Sequence, residues 1–284
     1  MILPLIAMML QSVTPYAAPQ PEMPVFQRRK EREAERAKPV KAVPITASQA
    51  RFNACLDTAL EDPAKGIAGA NNWRIEGGGY FARHCLGFSY AEQQNWDAAT
   101  TAFVEAAREA ETEGYNRIAD FWAQAGNSAL AGGNAAKALE YLNAALVQGT
   151  LTGLGKGEVH LDRARAYVSI NDYSSAKTEF TLVHDLAPKD PLGWLLSATL
   201  ARRTGDLAQA KADITEASKL AGDDPAVALE AGNIAYEAGD MDNALIFWTQ
   251  AAKTTSGNEE SDAAKVAKSY LRQLDMAAMK SASE

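Results

Sequence analysis

The sequence predicts an all-α protein built as a linear stack of helix hairpins, and three observations carry that prediction. Small and bulky apolar residues recur together with a period close to 34. A polar turn, most often Gly or Asn followed by Asp, falls at the same place in each period. The composition is 47% apolar and rich in alanine, which suits closely packed helices.

The clearest period runs from Leu161 to Pro188, two short amphipathic stretches joined by Asn171-Asp172. Its key residues are Ala164, Tyr167, Ala176, Phe180 and Val183. Numbering Ala164 as position 8 of a unit puts the others at 11, 20, 24 and 27. The next units give Ala198, Ala201, Ala210, Ile214 and Ala217, then Gly232, Ala235, Ala244, Trp248 and Ala251, each shifted by 34 residues. Upstream, Gly126, Ala129, Ala138, Leu142 and Ala145 fit, as do Gly87, Tyr90, Ala99, Phe103 and Ala106. The upstream shifts are 38 and 39 residues, so inserts are expected in those inter-unit loops.

The turns repeat as Gln94-Asn95, Gly133-Asn134, Asn171-Asp172, Gly205-Asp206 and Gly239-Asp240. Gly and Asn accept the left-handed backbone that ends a helix, and Asp or Asn then caps the next one. Asp62-Pro63, Asp190-Pro191 and Asp224-Pro225 read as N-caps with proline in the first turn.

A period near 34 with small residues at positions 8, 20 and 27 resembles the tetratricopeptide repeat (TPR) over roughly residues 80–258. The resemblance implies a right-handed α-solenoid. Small residues at 8 and 20 let the two helices of a hairpin approach, and the larger residue at 24 is expected to fill the gap between neighbouring units. Five repeats are expected, at about 80–113, 119–152, 157–190, 191–224 and 225–258. The family's helix-terminating proline at position 32 is present only as Pro188.

The first helix of each repeat in this family (the A helix) lines a concave surface that holds a partner peptide. Carried over position by position, the candidate partner contacts are Phe88, Asn127, Arg165, Arg202, Arg203, Asn233 and Tyr236. Arginine suits bidentate recognition of carboxylates; the alternative is that these arginines pair with Asp162, Glu158 or Asp206 of the chain itself. A clamp for a terminal carboxylate also needs Lys at position 5, where Ala123 and Leu229 stand, so that specialised mode is not expected.

Charge narrows the partner class. The chain holds 28 basic and 36 acidic residues, net −8, and residues 42–284 alone carry 21 and 32, net −11. An acidic array is a poor nucleic-acid binder, because phosphate contact needs a basic face. No apolar run reaches the ~20 residues that cross a bilayer as a helix.

In chain order, Met1–Leu10 is almost wholly apolar and Ala17-Ala18 follows, so residues 1–18 resemble a secretory signal peptide. That implies export, to the periplasm if the source has two membranes; a cytoplasmic protein with an apolar N-terminus is the other reading. Residues 19–45 hold five prolines and the run Arg28–Lys38, and read as a solvated linker. Residues 46–79 read as a degenerate first hairpin, with helices over 47–60 and 63–75 and a break at Gly77-Gly78-Gly79. Residues 259–279 form an amphipathic capping helix through Ala263, Val266, Ala267, Tyr270, Leu271 and Leu274, since an array must cover its last apolar edge.

Cys55 and Cys85, the only cysteines, fall in the A helices of consecutive units. Such helices are neighbours in a stack, so a disulfide is expected in an oxidising compartment; two buried thiols are the alternative. Metal ligation would need more ligands at closer spacing. His84, His160 and His184 stand in no nucleophile, metal or phosphate motif, and His160 is expected to serve packing. The glycine-rich stretch 148–157 follows no strand and reads as a spacer. The expected function is therefore a scaffold that binds a protein or peptide partner without a cofactor. A homo-oligomerisation module and an enzyme with an unrecognised site are the alternatives.

Overall fold

The structure, a computed structural model, describes residues 46–253, 255–256 and 259–283. The expected signal peptide and linker, 1–45, lie outside the described residues. Among the described residues there are thirteen helices, in an all-α solenoid fold of helix hairpins. They fall into two compact units, whose described parts are 46–188 and 189–283.

The first unit contains α1 (Ala47–Glu61), α2 (Pro63–Ile75), α3 (Gly79–Glu92), α4 (Trp96–Thr112), α5 (Ile118–Ala131), α6 (Ala135–Val147), α7 (Gly153–Ser169) and α8 (Tyr173–Leu186). The second contains α9 (Pro191–Arg203), α10 (Leu207–Leu220), α11 (Pro225–Glu237), α12 (Met241–Lys253) and α13 (Asp262–Ser283). Within each unit consecutive helices pack on each other, and alternate helices also touch at α1–α3, α5–α7, α9–α11 and α11–α13.

Local chemistry sets most of the turns. The residues before the hairpin N-caps all have positive φ: Gln94 58°, Gly133 78°, Asn171 61°, Gly205 81° and Gly239 79°. Asn95, Asn134, Asp172 and Asp206 then accept a backbone N–H from the first turn of α4, α6, α8 and α10. Asp62, Asp190 and Asp224 do the same for the proline-led helices α2, α9 and α11. Each such cap is worth about 1 kcal/mol.

Small residues and the bulky residue at position 24 meet inside one hairpin. A Cβ on Gly87 would lie 2.8 Å from the Phe103 ring, one on Gly126 2.5 Å from Leu142 Cγ, and one on Gly232 inside the Trp248 indole. Position 24 thus occupies the space vacated by the missing Cβ in its own hairpin, and Trp248 also reaches the next helix, its ring 5.2 Å from that of Tyr270 on α13. Two helix bounds also differ from the sequence reading. Residues 153–157 open α7 instead of belonging to a spacer, and Gly157 approaches Ala187 so closely that a Cβ would sit 2.8 Å from it. The last helix starts at Asp262, where Ser261 Oγ accepts the Ala264 N–H at 3.2 Å. Residues 259–260 instead pair antiparallel with 255–256.

Cys55 of α1 and the buried Cys85 of α3 lie together, Cα atoms 6.2 Å apart, a separation that a disulfide spans. Around them Phe52, Leu56, Ile67, Ala70, Leu86 and Ala102 form a small apolar cluster.

Candidate functional site

The candidate contacts lie on the A helices, and each unit is taken by itself. In the first unit, α3 places Phe81, His84 and Phe88 at i, i+3 and i+7. His84 is buried beneath rings of Phe52, Phe103 and Phe121, with centroids 4.9, 5.3 and 4.3 Å away. Its Nε2 lies 2.6 Å from Gln124 Oε1 of α5. An amide oxygen only accepts, so Nε2 carries the proton. Burial drives the imidazole pKa down to about 4, against a smaller upward pull from Gln124 and Asp120. His84 is therefore a neutral, structural ring near pH 7, one face of the wall that carries Phe88.

Phe88 is half-buried against the core of the first unit. Asn127 on α5 is half-buried too. Arg165 on α7 has only 14% of its side chain exposed, and Nη1 donates to Asp162 Oδ1 at 3.0 Å. One turn away, Glu179 of α8 gathers His160 Nδ1 at 2.7 Å and Arg163 Nη2 at 3.2 Å. His160 thus carries a buried polar contact as well as packing, a role its sequence position did not show.

In the second unit, Arg202 of α9 reaches α11. Nε donates to Glu230 Oε1 at 2.6 Å and Nη1 to Glu237 Oε1 at 2.5 Å. Glu230 is buried, and burial outweighs Arg202's opposite pull to raise its carboxyl pKa. Asn233 is engaged inward: Oδ1 accepts from Trp248 Nε1 at 3.1 Å and Nδ2 donates to Glu230 Oε2 at 3.3 Å. Tyr236 is half-buried, its ring 5.6 Å from that of Trp248. Arg203 at the end of α9 is exposed, where a cation complements the helix C-terminus.

The structure therefore brings Arg202, Asn233 and Tyr236 into one cluster around Glu230 and Trp248, and holds Phe88, Asn127 and Arg165 on three A helices of the first unit. The arginines of both units already meet carboxylates, Arg202 with two and Arg165 with one; Arg203 is the exposed cation. Sequence reasoning missed Glu230, the pivot of this network. Its signal was a lone carboxylate in the otherwise apolar run Val227-Ala228-Leu229-Glu230-Ala231-Gly232. Tyr115 was missed also, because it lies in the α4–α5 turn.

Among the described residues no group of His, Cys, Asp and Glu is placed to hold a metal ion, and no helix is long and apolar enough to cross a membrane. Residues 195–259 match the family model described as tetratricopeptide repeat. No curated protein sequence matches the chain. Among solved structures, it resembles PilW, a type IV pilus biogenesis factor, with TM-score 0.65 and 14% identity over 78% of this chain and 99% of that one. It resembles Pseudomonas aeruginosa PilF, with TM-score 0.61 and 14% identity over 79% and 100%. It also resembles a tetratricopeptide repeat protein of Parabacteroides merdae, with TM-score 0.57 and 13% identity over 88% and 91%. Identities this low speak for the fold alone. Residues 195–259 thus carry tetratricopeptide repeat sequence, in a chain whose fold resembles these solved proteins.

Proposed function

We propose that the protein is a non-catalytic adaptor that grips a peptide or helix of a partner protein with the A-helix faces of its repeats. The carrying observation is that the A helices of each unit present half-exposed or exposed side chains, Phe88 and Asn127 in the first unit and Tyr236 and Arg203 in the second. Held on helices, these groups lose little freedom on binding, which favours affinity. Arg165 and Arg202 contribute as charges already fixed in position by Asp162, Glu230 and Glu237. The five repeats expected from the period supply the array. PilW's description as a pilus biogenesis factor, the apolar residues 1–10 and the adjacent cysteines together support a setting in the cell envelope, where Cys55 and Cys85 would be oxidised.

Capture of partners from the native source tests the reading. Wild type is compared with Arg165→Ala and Arg203→Glu, each checked for unchanged helicity. The expected result is loss of the same co-purifying protein from both variants; equal recovery by all three would overturn the contact roles. Light scattering over a range of concentrations separates the self-assembly alternative, which requires mass to rise with concentration.

A further inference from the structure

A second feature of the first unit joins Phe81 to residues outside the family-derived contact positions. At the N-terminal end of α3, Tyr80 and Phe81 lie against Tyr115 of the α4–α5 turn, with centroids 4.8 and 5.6 Å away. Phe121 backs Tyr80 and Tyr115 at 5.9 and 5.6 Å. Phe121 is buried, whereas Tyr80, Phe81 and Tyr115 are each half-exposed. The turn that presents Tyr115 is fixed. Gly114 takes a φ of 67°, its N–H bonds Glu111 O at 3.2 Å, and the Tyr115 N–H bonds Ala110 O at 2.9 Å. This is a helix-ending motif that leaves Tyr115 little freedom.

The charge beside Tyr80 is acidic, whereas Arg117 and Asp120 act on Tyr115 in opposite directions. The last turn of α4 carries no basic residue, although a helix C-terminus favours a cation. Glu113 caps that end, exposed, with its Oε1 3.8 Å from where a Cβ of Gly79 would stand. Its charge acts on the Tyr80 phenol, whose pKa is raised by burial first and then by Tyr115 and Glu113. The nearby Glu111 accepts from Trp122 Nε1 and Gln148 Nε2, and Arg117 is paired with Asp120 at 2.6 Å. Aromatic faces next to an uncompensated carboxylate and a helix C-terminus attract a cation strongly. A purely apolar ligand would gain nothing from Glu113, and an anionic one would be repelled by it.

We propose that Tyr80, Phe81, Tyr115 and Glu113 form a docking surface for a lysine- or arginine-bearing segment of the partner. The proposal rests on the adaptor reading and names the chemistry of its ligand. An arginine lies flat on a tyrosine face and bonds Glu113, so aromatic contact and charge act on one side chain.

The test uses the full chain and two blocked hexapeptides, one alternating arginine with proline and one alternating glutamate with proline, followed by calorimetry at low and high salt. The arginine peptide is expected to bind wild type, weaken with salt, and bind Tyr115→Ala and Glu113→Gln about tenfold more weakly or worse; the glutamate peptide is expected not to bind. Glu113 is exposed, so its variant folds even if Tyr115→Ala does not. Equal affinity for wild type and Glu113→Gln would overturn the proposal, as would no binding to wild type. Binding that emerges only after Arg28, Arg29, Lys30 and Arg32 are changed to serine would also overturn it, by making the occupant this chain's own basic run. If Glu113→Gln recovers the native partner as wild type does while Arg203→Glu loses it, this surface falls and the adaptor reading stands.

Discussion

Replacing a helical glycine by alanine should have opposite signs at two places in the first unit. Gly126 lies inside α5 and Gly69 inside α2, so both substitutions gain helix propensity, about 0.8–1 kcal/mol each. They differ in what the new methyl meets. At Gly69 nothing lies within 4 Å, so the propensity gain stands alone. At Gly126 the methyl would sit 2.5 Å from Leu142 Cγ, 2.8 Å from Cδ2 and 3.3 Å from Ala138 O. Leu142 is fully buried and has no open space to enter. It must leave its rotamer or push α6 away, and such overpacking costs about 1–3 kcal/mol.

The net expectation is stabilisation by about 0.8 kcal/mol for Gly69→Ala and destabilisation by up to about 2 kcal/mol for Gly126→Ala. Urea unfolding followed by far-UV circular dichroism measures both, with the slope m checked because repeat arrays can lose two-state behaviour. Should Gly126→Ala stabilise as much as Gly69→Ala, the close approach of α5 and α6 around Leu142 would be refuted.

Three further outcomes follow from buried groups and one from an exposed cation. Since His84 is held neutral, with its pKa lowered to about 4 from 6.5, the unfolded chain binds its proton first. The stability this gives is present above pH 6.5, falls between 6.5 and 4, and is gone below 4. The loss is about 2 kcal/mol by pH 5, and comparing unfolding of wild type and His84→Phe across pH 5–7 should show this component missing from the variant. Arg202→Ala strands the buried Glu230 and should cost about 3 kcal/mol, while Arg202→Met with Glu230→Met should recover most of it; thermal unfolding of single and double variants decides. Under oxidising conditions the link from Cys55 to Cys85 closes a loop with a sequence separation of 30, so dithiothreitol should lower stability by about 3–4 kcal/mol and leave Cys55→Ser/Cys85→Ser unaffected. Arg203→Glu should change the midpoint by under about 0.5 kcal/mol, as expected for an exposed side chain.

The repeat was legible because its determinants are local. Gly-Asp and Asn-Asp turns fix backbone sign and cap chemistry within a few residues, so the hairpin turns could be placed from sequence. The partners of position 24 were harder to place. That Phe103 fills the space above Gly87, in its own hairpin, is a fact about helix approach, and spacing alone gives no distance. The start of α7 was hidden because Gly153, Gly155 and Gly157 read as loop, whereas close packing on Ala187 makes a glycine useful at Gly157 alone of the three. The site was less legible than the fold. Arg202 finds Glu230 28 residues away and Glu237 35 away, pairings that arise only when α9 meets α11. Asn233 has the residue type expected of a peptide contact, yet its amide is engaged with Trp248 and Glu230.

The most direct measurement of partner binding is site-specific photo-cross-linking in the native source. A benzophenone amino acid is placed at Phe88 or Tyr236 on A helices, and at Lys137 or Ile246 on α6 and α12, where Lys137 is exposed and Ile246 60% exposed. The account predicts one partner protein cross-linked from Phe88 and Tyr236 and absent from Lys137 and Ile246. The same partner captured equally from all four positions, or captured only from Lys137 and Ile246, would contradict it.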